Sequence, residues 1–329
     1  MKRLIRRVLP ALLAVVLLAY ALKDISFADI AGQFRQANYG WIAAVGLITA
    51  LSFYVRGMRW RQALLGLGYQ PTAFRATVAY LAGIIASMIV PGSGELTRCA
   101  TLQRTDRVPF SQGVGSVVAE RIVDLLMLGL LLLLTFLLEL RRMRAYFSDL
   151  SMAAPGTLGW WLVGVALVGG LLGLWLMRRA LRTHTLRQHP FVQKLIRAIQ
   201  GLWKGFMSIR QLPHPWLFVF LTALIQGLVW LSTYWLLLSL DSTQSLPPSA
   251  ALTILTVSSI GGILIPTQGG IGTFHFLVSR ALVLYGFTAA NGAVVATFLH
   301  AVSFGLSLLL SSLSFLLVPF LLTRRPEQS

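Results

Sequence analysis

Long, nearly charge-free apolar blocks alternate with arginine-rich segments along this chain. The first block, residues 8–22, follows Lys2, Arg3, Arg6 and Arg7. It resembles a signal peptide, yet it lacks a small-x-small cleavage site and further blocks follow, so a retained first span is expected. Later blocks cover Tyr39–Val55, Ser111–Leu138, Leu158–Met177, Trp216–Leu240 and Ala289–Phe320. Each of these is long enough to cross a hydrocarbon core that needs roughly 20 helical residues.

Two more apolar blocks are broken in the middle. Phe74–Val108 is interrupted at Pro91-Gly92-Ser93-Gly94, and Ala250–Tyr285 at Pro266-Thr267-Gln268-Gly269-Gly270. If each crossed the bilayer once, the side assigned to every later loop would invert. Reading each as a re-entrant hairpin gives an all-α polytopic protein with six full spans and two broken hairpins entering from opposite faces. The prolines lie about half a chain length apart, the pattern of an inverted-topology repeat.

Positive charge orients this map. Arg56, Arg59 and Arg61, then Arg104 and Arg107, then the stretch from Arg178 to Arg210 are expected in the cytoplasm, as are both termini, with Arg324 and Arg325 at the second. One loop opposes the bias: Arg141, Arg142 and Arg144 fall outside. Within the basic loop 178–213, Phe191, Leu195, Ile199, Leu202 and Phe206 recur at helical spacing, which predicts an amphipathic helix in the headgroup layer. The whole chain, 1–329, reads as one membrane domain.

Composition sharpens the class. Hydrophobic residues make up 56% and charged ones 12%, about half the charged share of a soluble domain. This excludes a disordered chain, a disulfide scaffold and an ordinary soluble enzyme. The net charge of +18 would suggest nucleic acid in a soluble protein. Here the bases flank apolar blocks, so anionic membrane lipid is the expected partner and nucleic acid is not. The single cysteine, Cys99, excludes disulfides within the chain. The histidines offer no metal spacing and no Walker-type loop is present, so neither metal nor cofactor is expected.

Ionisable groups inside apolar blocks carry the candidate chemistry, because each is costly unless paired or facing a wet cavity. After Pro91 and Gly92, a half-helix starting near Ser93 would aim free N–H groups at an anion such as phosphate. Gly94 follows, with Glu95 and Arg98 three apart on one helical face as neighbours. Glu120 and Asp124 share a face, and Arg121 stands three residues from Asp124. Pro266, Gly269, Gly270 and Gly272 echo the first break, and Arg280 is a further candidate anion contact. Arg56 and Arg59 read as positive-inside anchors beside an interfacial Trp60, or as a fork for a lipid phosphate. His275 and His300 are lone intramembrane histidines, read as hydrogen-bonded packing residues with a proton relay as the alternative.

Arg56-x-x-Arg59-Trp60, Pro91-Gly92-x-Gly94-Glu95-x-x-Arg98, Glu120-Arg121-x-x-Asp124 and Pro266-x-x-Gly269-Gly270-Ile271-Gly272 together resemble the lysylphosphatidylglycerol synthase transmembrane-region family, also called flippase-like membrane proteins. The resemblance covers nearly the whole chain in order. It implies a bacterial inner-membrane protein that moves a phospholipid or lipid-linked headgroup between leaflets. Many members carry an acidic residue just after the last glycine-rich turn, where this chain has Thr273-Phe274-His275-Phe276. Larger members add a soluble aminoacyl-transferase domain, for which no room is expected before Ser329.

Three functions compete at this point. The first is a lipid transporter, flippase or scramblase-like, without enzyme activity, for an anionic or phosphate-bearing lipid. The second is a membrane-embedded enzyme or accessory subunit of lipid or glycan assembly using Glu95, Glu120 or Asp124. The third is a scaffold whose basic loop docks a partner, such as another copy of the chain or a lipid-modifying enzyme. Buried charges at broken helices favour transport, and the missing nucleophile disfavours the enzyme.

Overall fold

The computed structural model describes residues 15–20, 26–149 and 212–323. The first span from residue 8 lies mostly outside the described residues. The expected span Leu158–Met177, the basic loop from Arg178 to Arg210 with its amphipathic helix, and Arg324 and Arg325 lie wholly outside them. The described residues belong to two compact units: one holds those up to Leu138 and from Leu212 on, the other those from Glu139 to Asp149. The described residues form helices joined by turns and short irregular links, with no strand among them.

The elements are α1 (Phe27–Gln36), α2 (Tyr39–Leu65), α3 (Ala73–Ile89), α4 (Ser93–Asp106), α5 (Phe110–Asp149), α6 (Pro215–Leu238), α7 (Pro248–Leu264), a 3-10 turn at Gln268–Gly270, α8 (Thr273–Val283), α9 (Ala289–Ser312) and α10 (Ser314–Thr323). Four stretches are long and apolar enough to cross a membrane: Tyr39–Leu65, Phe110–Ala145, Pro215–Leu238 and Ala289–Thr323. They match the four expected spans that fall within the described residues. The arginines that opposed the charge bias sit on the helical continuation of α5, where Arg142 pairs with Glu139 at 2.7 Å. Helix α1 was not foreseen. Ser26 and Asp29 close a capping box at its start, and Phe34 packs on Phe298 of α9.

Local chemistry explains where helices begin. Asn38, Thr72 and Thr288 accept from amides of the first turns of α2, α3 and α9, and Pro215 and Pro248 stand at first positions that need no N–H. Threonines inside helices donate back to a carbonyl four residues earlier, as Thr77, Thr97, Thr101, Thr222, Thr233 and Thr297 all do. A hydroxyl satisfied within its own helix can sit in hydrocarbon or in a packed core without an orphaned donor. Leu125, Leu130, Leu133, Phe136 and Leu137 of α5 remain exposed, a surface suited to acyl chains rather than water.

Helices α2 and α6 pack side by side and antiparallel. The Asn38 amide donates to the Ser239 carbonyl at 2.8 Å at one end, and Gly66 abuts Leu212 at the other. Each broken block is an antiparallel helical hairpin. In α3–α4, Arg75 bonds the Thr105 carbonyl and Asp106 at the base, while Gly83 meets Gly94 near the tip. In α7–α8, Thr253 bonds Tyr285 at the base, and Thr273 reaches the Ile265 carbonyl at the tip. The two bases stand at opposite ends of the α2–α6 pair. One apolar cluster, with Trp60, Leu64, Ala76, Cys99 and Leu102, secures the first base. A second, with Ala37, Leu240, Ala250, Leu282 and Phe298, secures the other.

Candidate functional site

The charged residues of three helices converge in one buried cluster. Arg59 of α2 donates from Nε to Glu120 Oε1 at 3.2 Å and from Nη1 to Asp124 Oδ1 at 2.7 Å. Arg98 of α4 places Nη2 2.9 Å from Glu120 Oε2. Arg121 completes the cluster on Asp124 at 3.1 Å. Each oxygen of Glu120, whose residue is 1% exposed, therefore faces its own guanidinium. Two aromatic faces flank the Arg98 guanidinium, with Trp60 at 4.7 Å and Tyr80 at 5.7 Å from ring centroid to carbon. Trp60 in turn donates to Ser116 Oγ at 2.9 Å. Three arginines meet two carboxylates here, so the cluster carries a positive surplus.

Several expectations are corrected by this arrangement. Glu95 and Arg98 do not pair: Arg98 crosses to Glu120, and Glu95 has no hydrogen bond or ion pair among the described residues. Trp60 is fully buried, not interfacial. Arg59 is buried and neutralised by two carboxylates, so it braces the cluster and leaves no fork for a phosphate. Arg56, half-buried, keeps no ion pair among the described residues.

Beside the cluster opens a cavity of about 280 Å³, lined by Tyr80, Gly83, Ile84, Ser87 and Met88 of α3, Gly94, Glu95 and Arg98 of α4, Arg121 of α5 and Gly269. The tips of both hairpins thus reach it. Of the expected site residues, Gly94, Glu95, Arg98, Arg121 and Gly269 line its wall. Arg59, Glu120 and Asp124 stand behind it in the charge cluster, Pro91, Gly92, Pro266, Gly270 and Gly272 belong to the two breaks, and Arg56 of α2 is not part of its wall. Gly92 caps α4 in the left-handed region, φ +78°, and offers no side-chain acceptor to the first amides. The Ser93 hydroxyl donates backwards to Ala86 and Val90 instead. An uncapped helix start carries partial positive charge, here balanced in part by Glu95. Tyr80, Gly83 and Ser87 escaped the sequence reading because they sit inside an ordinary apolar block. Their one signal is helical spacing, which puts 80, 83, 84, 87 and 88 on one face.

The second tip is held by two imidazoles. The Gly272 amide donates to His275 Nδ1 at 3.3 Å, and His300 Nε2 bonds the Gly269 carbonyl at 2.9 Å. The rings are neighbours, 4.7 Å between centroids, so neither histidine is solitary. Gly269 lies at φ +60° with Phe304 directly behind it, leaving no room for a Cβ. Arg280, by contrast, lies exposed in the last turn of α8, bonded to the Tyr20 hydroxyl at 3.4 Å and away from the cavity. Among the described residues no three His, Cys, Asp or Glu side chains form a metal-ligand group.

Comparison with known proteins meets this geometry at residues 7–311, which match the family model described as the lysylphosphatidylglycerol synthase TM region. That match runs through both hairpins and every member of the charge cluster. The chain belongs to this family. As a lysylphosphatidylglycerol synthase TM-region protein it is a multi-pass membrane protein. A curated relative, glycosyltransferase AglD of Haloferax volcanii, is 28% identical over 116 residues, which is 35% of this chain and 19% of that protein. The chain therefore matches about a fifth of that relative's length. No solved structure matches.

Proposed function

We propose that this family member moves a phosphate-bearing lipid, or the headgroup of a lipid-linked molecule, between leaflets, and that it does so without an enzymatic step. The observation that carries this reading is the convergence of two glycine-rich hairpin tips, based at opposite ends of the α2–α6 pair, on one cavity whose wall carries Glu95, Arg98 and Arg121. Its volume lies near the lower limit for small-molecule sites, about 300 Å³, a size for a headgroup rather than a whole lipid. Acyl chains would stay in the bilayer while the headgroup passes between the tips, which spares the charged group much of the cost of crossing hydrocarbon. Arg121, half-exposed on the cavity wall, and the uncapped start of α4 supply attraction for the phosphate. Arg98, already committed to Glu120, adds field rather than a free fork.

Two of the three candidate carboxylates speak against the enzyme reading. Glu120 and Asp124 are both ion-paired, and no nucleophile with an adjacent base accompanies them. In the cell, the expected setting is the bacterial inner membrane with both termini in the cytoplasm, the first hairpin re-entering from the cytoplasm and the second from the outside. Anionic lipid around the basic segments is the expected partner. The likeness to a glycosyltransferase supports a lipid-linked glycan as one substrate of this kind.

The test is translocation of fluorescent phospholipids in proteoliposomes. Wild-type protein should move at least one anionic lipid faster than empty vesicles, Arg121→Lys should slow that movement while remaining folded, and Arg98→Lys, which keeps the field, should slow it less. If wild-type vesicles match empty ones across several anionic lipids and a polyprenyl phosphate, the transport reading fails.

A further inference from the structure

The pair His275 and His300 has no role in charge neutralisation, yet both rings grip the backbone of one turn. His275 Nδ1 accepts from the Gly272 amide, which only an unprotonated nitrogen can do. His300 bonds the Gly269 carbonyl, and Gly269 lines the cavity. The turn is thus clamped at its first and last glycines by imidazoles whose centroids are 4.7 Å apart. Phe274 and Phe304 close around His300, at 5.2 and 5.7 Å between centroids. The helices that carry and flank the pair offer no acidic side chain: α7 and α9 carry no Asp, Glu, Lys or Arg, and α8 carries only Arg280, exposed at its far end. Across the cavity wall the charged groups are Glu95, Arg98 and Arg121. Elsewhere around α9, α3 offers Arg75, α2 offers Arg56, Arg59 and Arg61, and α1 offers Asp29 and Arg35. Arg59 is ion-paired within the charge cluster, and Arg75 is tied to Asp106 at the hairpin base.

We propose that His275 and His300 are positioning residues that together hold the Gly269–Gly272 turn against the α3–α4 hairpin, and that a proton on His275 releases the Gly272 end, so that acid loosens the cavity wall. Imidazole is the side chain whose ordinary titration falls nearest neutral pH. A proton on His275 Nδ1 turns the acceptor of the Gly272 amide into a second donor, so that hydrogen bond is lost. His300, which donates to the Gly269 carbonyl, keeps that bond in either state, so the turn is freed at its Gly272 end. The transport consequence rests on the function proposed above; the clamp itself does not.

Hydrogen–deuterium exchange of the peptide spanning 265–276, in the full-length protein in lipid nanodiscs, tests the clamp without any substrate. After correction for intrinsic rates, exchange should rise by about tenfold per pH unit below the midpoint, as expected for an opening that binds one proton. His275→Asn keeps an acceptor near Nδ1 and His300→Gln keeps a donor near Nε2, and neither titrates, so the double variant should stay protected and pH-independent from pH 7.5 to 5.5. A flat wild-type profile overturns the proposal, and so does an acid response that persists in the double variant. Should that variant misfold, His275→Asn alone must abolish the acid response, and an unchanged response again overturns the clamp. Lipid translocation in vesicles held at each pH should rise with acid in the wild type only. If exchange responds as expected but no vesicle moves lipid at any pH, the clamp stands and the transport reading fails.

Discussion

Glu120 is the residue on which the charge cluster turns. It is buried with each oxygen against a different arginine, so Glu120→Gln leaves buried guanidinium charge short of a partner. That change should cost about 3–5 kcal/mol and appear as a large loss of thermal stability in detergent. Arg121 is a different case. Its side chain is 47% exposed, so removing its pair with Asp124 should cost less than about 1 kcal/mol. Arg121→Ala should elute and melt nearly as wild type while translocating lipid more slowly, and a melt as damaged as that of Glu120→Gln would contradict the placement. Arg98→Lys keeps the charge and its attraction to the rings but loses the planar face lying between Trp60 and Tyr80, so it should cost less than about 2 kcal/mol, the worth of a desolvated cation–π contact.

At the scale of elements, the first hairpin depends on glycines where α3 and α4 touch. A Cβ on Gly94 would collide with the Ser87 hydroxyl and the Gly83 carbonyl, and the latter, being backbone, cannot turn aside. Gly94→Ala should therefore spread the tip and cost about 1–3 kcal/mol, the usual penalty of overpacking. Gly115→Ala in α5 meets open space and should be neutral or slightly stabilising, because alanine is the better helix former. Thermal melts of the two variants side by side give the comparison, and equal melts would deny the close approach. The breaks themselves were legible in the chain: Pro91 and Pro266 lack the N–H that a continuing helix needs, and the glycines after them permit positive φ. Helix α1 was not legible, since its ten residues fall between two spans and carry no long apolar run.

For the whole molecule, the antiparallel α2–α6 pair orders the loops. Asn38 and Ser239 meet at one end, Gly66 and Leu212 at the other, so the loop at 66–72 and the loop at 241–247 face opposite sides. Single cysteines at Gln70 and Gln244, introduced beside Cys99→Ala, should label in intact cells from opposite faces, Gln244 from outside and Gln70 only after permeabilisation. Labelling of both from the same side would remove the opposed entry of the hairpins. The same assay should find the segment from Arg178 to Arg210 shielded in intact cells.

Hydropathy alone determined the class of this protein, the four spans seen here and the places where two blocks break, because length, apolar content and the missing proline N–H are properties of local sequence. It also put Glu120, Arg121 and Asp124 on one helix, since neighbours three and four apart share a face whatever surrounds them. Partner choice lay beyond it. Glu95 and Arg98 satisfied the same spacing rule and still did not pair, because α5 brings Glu120 to Arg98 from a different part of the chain. Arg59 looked like an anchor at the end of a span, and only the packing of α2 on α5 made it the brace for two carboxylates. His275 and His300 looked solitary at 25 residues apart, until α8 and α9 packed and set both rings beneath one turn. Contacts between distant segments are fixed by the packing of helices, and a buried charge takes whichever partner that packing supplies.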